Sequence, residues 1–153
     1  MARIVETLVT QSLLDRLAST EDWPATRAHS LRFFKESLKR DMEWLLNTRQ
    51  PPIAGIDSFD AASRSVIHYG LIDTSSLSHA SLTDHKRIQQ AVQECITNFE
   101  PRLQNTAVTI ADGDLKKRQL RFHIEGQIRL DPAPEEILFD TVLDLTSGEY
   151  VVS

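Results

Sequence analysis

Residues able to do chemistry are plentiful in this 153-residue chain, but few stand at a spacing that a reaction needs. A glycosidase requires only two carboxyl groups at a suitable separation, and Glu100 with Asp140 or Asp144 would supply an acid and a nucleophile. Such pairs are easy to find among 22 acidic residues, so this one carries little weight. Sugar-cleaving sites also use aromatic platforms, whereas Trp23 and Trp44 fall on predicted helices, where core or partner packing is the ordinary role. The histidines at 29, 68, 79, 85 and 123 never reach HExxH spacing, so no metal site is expected. Glycines 55, 70, 113, 126 and 148 are too scattered for a phosphate loop, which leaves no cofactor to expect. No GxSxG nucleophile signature occurs. Cys95 is the single cysteine; it rules out an internal disulfide framework and, lying on an apolar helical stripe, reads as a small buried hydrophobe.

The most pointed stretch is NFEPRL, residues 98 to 103. The residue before a proline is pushed out of the α region, so Glu100 marks the end of a helix. The partial negative charge of that helix end opposes the carboxylate by roughly 0.3–1 kcal/mol, and a cation should compensate. In an extended segment residues 100 and 102 point to the same side. Glu100 and Arg102 then either pair with each other or jointly face a third body.

The elements that position this corner follow from periodicity. Leu31, Phe34, Leu38, Met42 and Leu45 recur at spacings of three and four, predicting an amphipathic helix to about Thr48 with a charged outer face on which Glu36 and Arg40 form an i,i+4 pair. Pro51 and Pro52 end it. A shorter helix is predicted over about 61–69, with Gly70 as its left-handed cap. Residues 71–84 read as a loop, closing on Ser81 or Thr83 as the cap of a helix over about 83–99 that carries Ile88, Val92, Cys95 and Ile96. Beyond Pro101 the period drops to two. Val108 and Ile110 start one strand; Leu120, Phe122, Ile124, Ile128 and Leu130 form the apolar face of a second, interrupted only by Gly126. Residues 112–118 connect the two strands. Within that connection Lys116, Lys117 and Arg118 read as a solvated turn. DPAP, residues 131 to 134, turns the chain into a third strand.

That strand, residues 137 to 145, sets Phe139, Thr141, Leu143 and Leu145 against Leu138, Asp140, Val142 and Asp144, so its second face is half apolar. A short apolar piece, residues 150 to 152, follows the turn TSGE. The expected fold is α+β, with N-terminal helices packed on a C-terminal antiparallel β-meander. Residues 1–28 form an N-terminal segment with a short helix, and 29–153 a single domain. A net charge of −5 argues against nucleic acid or anionic lipid as a partner, and no stretch approaches the roughly 20 apolar residues of a membrane span. Glu6 and Asp15 interrupt what would be a signal peptide's apolar core, so a cytoplasmic protein is expected.

Five segments in order, SLLDRL (12–17), RDMEWLLNTR (40–49), SVIHYGL (65–71), FEPRL (99–103) and FDTVLDLTSGEYVV (139–152), resemble the TssE family of type VI secretion baseplate wedge proteins, itself related to the lysozyme-like wedge component of phage tail baseplates. His68 and Ile72 depart from it, standing where asparagine and proline are common. The resemblance implies a structural, non-enzymatic part placed in the wedge with TssF, TssG and TssK, on which the sheath subunits TssB and TssC begin to polymerise. It also implies that Glu100, Pro101 and Arg102 dock to the wedge core. An exposed charge pair stiffened by proline suits such registration, because less ordering entropy is lost on binding. For sheath initiation the candidate is strand addition along residues 137 to 152, with Leu138, Asp140, Val142 and Asp144 facing outward. Otherwise the protein's own N-terminal segment covers that strand. A small adaptor for a regulatory partner and a peptidoglycan-cleaving enzyme are the alternative functions.

Overall fold

A threonine hydroxyl starts the longest helix. Thr26 accepts from the His29 N–H at 3.3 Å, satisfying one of the unpaired donors of helix α2, Arg27–Asn47. The computed structural model describes residues 8–18, 24–73, 81–111, 118–130 and 133–153. Phe34, Leu38, Met42, Leu45 and Leu46 are the buried apolar stripe of α2. A six-residue helix α1, Leu13–Ala18, precedes it and buries none of its residues. Helix α4, Leu82–Phe99, starts at Ser81, which accepts from the Asp84 N–H at 3.3 Å, and buries Ile88, Val92, Cys95 and Ile96.

Four strands follow: β1 Leu103–Ala111, β2 Gln119–Ile128, β3 Glu135–Asp144 and β4 Tyr150–Val152. They form one antiparallel sheet in the order β1-β2-β3-β4. The period-two pattern decides which face the helices cover: Leu120, Phe122, Ile124 and Ile128 of β2 with Phe139 and Leu143 of β3 lie in one core with the α2 and α4 stripes. Each such side chain contributes roughly 1.5–3 kcal/mol by leaving water. This is the α+β meander expected from the sequence. The gap in the β2 pattern has a local cause, since a Cβ on Gly126 would come within 2.6 Å of the Leu103 side chain, which lies over the glycine.

Three local expectations need correction. The helix predicted over 61–69 is instead α3, Asp60–Ser63, followed by a 3-10 turn, Val66–His68. Ser65 separates them because its backbone is extended and its hydroxyl accepts from the Ile67 N–H. Gly70 is not a cap of an α-helix. At φ 105° it lets the chain pass against the Thr48 main chain, where Leu71 N–H donates to Thr48 C=O at 2.8 Å. Finally, Glu36 pairs with Arg32 at 3.7 Å rather than with Arg40, whose guanidinium is held by two other acids. Trp23, His79, residues 112–117 and the first half of the 131–134 turn lie outside the described residues.

Candidate functional site

Glu100 ends α4 as the pre-proline rule requires, leaving helical geometry at φ −119° and ψ 78°. Its N–H still donates to Ile96 C=O, and its own C=O accepts from the Leu103 N–H at 3.1 Å, closing a β-turn with Pro101 and Arg102 at the centre. The pairing of Glu100 with Arg102 therefore arises from a turn and not from an extended segment. Arg102 donates through Nε to Glu100 Oε1 at 2.7 Å and through Nη2 to Oε2 at 2.5 Å, and its main-chain N–H also reaches Oε1 at 3.1 Å. This fork supplies the cation that the helix end calls for.

Glu100 is only 5% exposed, which corrects the expectation of an exposed charge pair. The cause is a third group: Asp41 of α2 accepts from Arg102 Nη2 at 2.8 Å, drawing the corner onto the helix layer. From Asp41 the chain of charges continues outward. Arg40 donates to Asp41 at 2.7 and 3.0 Å and to Asp15 of α1 at 2.7 Å, while Ser12 and Ser37 donate to the other oxygen of Asp15. Burial disfavours the charged Asp15, but hydrogen bonds from Arg40, Ser12 and Ser37 together outweigh it and hold the carboxyl at about 2. The hydrogen bond that Arg102 donates to Glu100 is the largest influence on Arg102 and, against the cost of burial, raises its pKa further above the ordinary arginine range.

What this surface leaves to water is Pro101, about a quarter of the Arg102 and Asp41 side chains and more of Arg40. Sequence reasoning missed Asp15, Arg40 and Asp41 as partners of the corner. The only signal was that SLLDRL and RDMEW belong to the segments carrying the resemblance. Helix α1 is inverted relative to an ordinary surface helix: Asp15 faces the body, while Leu13, Leu14 and Leu17 are exposed.

The strand candidates separate. Phe139, Thr141 and Leu143 are buried under the helices, and Leu138 is 54% exposed on the opposite face, as the alternation predicts. Asp140 sits on that outer face beside His123, with Nδ1 to Oδ1 at 2.5 Å. Asp144 serves the turn instead, accepting from the Thr146 and Ser147 N–H groups, which lowers its pKa. The third strand is not the last one, however. β4 pairs with it at Thr141, Val142 and Leu143, and Asp140 exchanges two main-chain bonds with Ser153. Of the edge expected along 137–152, the part at Thr141–Leu143 is therefore covered by β4, while the outer side of Glu135–Phe139 pairs with no strand among the described residues.

Side-chain amides finish much of the remaining sheet edge. Gln89 and Gln93 of α4 donate to Val108 C=O and Thr106 C=O at 2.5 and 2.7 Å, and Gln93 also accepts from the Val108 N–H. Asn47 takes both main-chain groups of Tyr150 at 2.8 Å.

The carboxylates of the glycosidase reading are not brought together. Glu100 is consumed in the ion pair on the helix side, whereas Asp140 lies on the solvent face of the sheet. Cys95 is buried, its thiol pushed up to about 12 by that burial, and donates to Gly70 C=O. Among the described residues no group of three or more His, Cys, Asp or Glu side chains is placed to hold a metal. No helix among them is long and apolar enough to cross a membrane.

The order of elements is thus two helices over a meander, joined by an acid–proline–base corner. A model of the family described as baseplate wedge protein gp25 matches residues 33–133, more than half of the chain and inclusive of that corner. The chain belongs to the gp25 baseplate wedge family. No curated protein matches it. Family membership points to a structural role in a baseplate.

Proposed function

We propose that this gp25-family protein is a non-enzymatic component of a type VI secretion baseplate wedge, of the TssE type. It works in the cytoplasm alongside TssF, TssG and TssK, docks to the wedge core through its corner and starts the sheath of TssB and TssC by strand addition. The observation carrying this reading is the family match across residues 33–133, joined to the five ordered segments that resemble TssE. The corner's geometry gives docking a different form from a bare acid–base pair. Glu100 acts from inside, holding the Arg102 guanidinium in one orientation, and Arg102, Asp41 and Pro101 meet the partner. A charge fixed in this way loses little side-chain entropy on binding. Strand addition is supported by the open side of Glu135–Phe139, with Leu138 available for contact.

The test is capture of a TssF–TssG core by the immobilised chain. Glu100→Gln with Arg102→Gln removes both charges without leaving one orphaned, and folding is checked by circular dichroism. The folded double variant is expected to lose binding. Equal capture by both proteins would remove the corner from docking, and no capture by the wild type would overturn the type VI assignment. Turnover of purified peptidoglycan is expected to be absent; hydrolysis abolished by Glu100→Gln would instead establish the enzyme reading.

A further inference from the structure

The solvent face of the sheet is not flat beside the open part of β3. In β1 the register slips between Gln104 and Ala107, and Asn105 adopts φ 51° to make the bulge. Asn105 donates to Gln127 Oε1 at 2.9 Å, and the small Ala107 stands across from Glu125. The result is a depression of about 420 Å³ lined by Asn105, Ala107, Glu125, Gln127, Glu136 and Leu138. Glu125 pairs in register with Leu138, and Gln127 with Glu136, so the depression runs from the bulge to the outer margin of β3.

Its charge is one-sided. Glu135 has its cation, Lys35 of α2, at 2.5 Å. Glu125 and Glu136 are exposed and take part in no ion pair among the described residues. Among the other basic groups of this face, Arg129 follows Gln127 by two positions, His123 is engaged with Asp140, and Arg121 lies in register with Val142 beyond that pair.

Among the described residues no strand pairs with the main chain beside the depression. Asp140 and Asp144 send their N–H groups toward β4, to Ser153 and Glu149. Main-chain direction alternates along a strand, so Glu136 and Leu138 point theirs to the same side, past the end of β4 pairing at Ser153. A segment bonding there would lie beside Leu138 and extend the line of β4. Any long cation projecting from its outer face would reach the two glutamates.

We propose that this depression is a subsite for a lysine or arginine on an extended partner segment that adds to the Glu135–Phe139 edge. The inference rests on the strand-addition reading above and adds its charge requirement: two carboxylates, two amide side chains and an apolar wall at Leu138 fit the head and the methylene stem of a long basic side chain.

The probe is the purified TssB–TssC sheath pair, bound to the immobilised full chain at low salt and at about 1 M salt, where the screening length is about 3 Å. Glu125→Lys with Glu136→Lys is expected to weaken binding on the order of tenfold at low salt, with the difference shrinking at high salt. Glu125→Gln with Glu136→Gln should fall between, and Arg121→Glu, on the same face but outside the depression, should change binding less than about twofold. Leu138→Pro removes a main-chain donor at the edge and should abolish binding. Melting curves report folding of each variant, and the glutamine pair keeps the test valid should the lysine pair not fold. Loss with Leu138→Pro but no change with either glutamate pair would overturn the basic subsite and leave strand addition standing. Binding unaffected by all of these variants would overturn both.

Discussion

The corner at Glu100–Arg102 and the outer side of Glu135–Phe139 handle their polar groups in opposite ways. At the corner every strong group is already spoken for: Glu100 by Arg102, Arg102 by Asp41, Asp41 by Arg40, and Arg40 by Asp15. Along the first half of β3 no strand pairs with the outer side of the main chain, and two neighbouring glutamates take part in no ion pair, among the described residues. Charge density alone is therefore a poor guide to where a partner binds. A dense charged cluster that satisfies itself holds its exposed groups in one fixed orientation, whereas the outer side of Glu135–Phe139 leaves main-chain groups that no strand pairs with among the described residues.

If that contrast is right, the corner should be sensitive to substitution in the isolated chain and the strand margin should not. Arg102→Ala strands a buried carboxylate and is expected to cost about 3–5 kcal/mol in urea unfolding. The Glu100→Gln, Arg102→Gln pair should recover part of that loss. Gly126→Ala forces a methyl group against Leu103, the first residue of β1 after the corner, and should cost about 1–3 kcal/mol. Adding Leu103→Ala should lower the penalty of Gly126→Ala, seen as non-additivity in a double-mutant cycle.

Gln93→Ala makes the sealed margin of the sheet resemble the open one. Thr106 C=O and Val108 N–H lose a partner, at about 1 kcal/mol, and concentration-dependent self-association in sedimentation is the expected sign of a newly free edge. A smaller, local effect concerns α1. The folded pKa of Asp15, about 2, lies below the ordinary 3.8, so its charge contributes fully above about pH 4 and fades as pH falls toward 2. Amide exchange in α1 should accelerate over that window, and Asp15→Asn should produce the same acceleration at neutral pH. Smallest of all, Leu138→Pro should change stability by less than about 0.5 kcal/mol, because its N–H bonds no strand among the described residues. A large loss there would mean that the margin is already used internally.

Much of the fold was legible in the sequence for a local reason. The three-and-four spacing of Phe34, Leu38, Met42 and Leu45 and the alternation of Leu120, Phe122 and Ile124 each encode one buried face, and Ser81 and the Glu100–Pro101 pair encode the limits of α4. The candidate site was only half legible. Glu100 and Arg102 are two positions apart and their pairing could be anticipated, but Asp41 is 61 positions from Arg102, and nothing along the chain links them. Likewise β4 is three residues long, too short for a pattern to say which strand it joins.

From residue order alone came the helix stripes, the alternating sheet face, the end of α4 before Pro101 and the resemblance to a wedge family, since each depends on neighbours a few positions apart. Only the tertiary structure decided that Glu100 is buried, that Asn47 finishes the Tyr150 edge from 103 positions away, and that, among the described residues, no strand pairs with the outer side of Glu135–Phe139. The physical reason is distance. Hydrogen bonds and ion pairs act over about 3 Å of space, and which remote residues come that close is settled by how the packed helices and sheet close on one another.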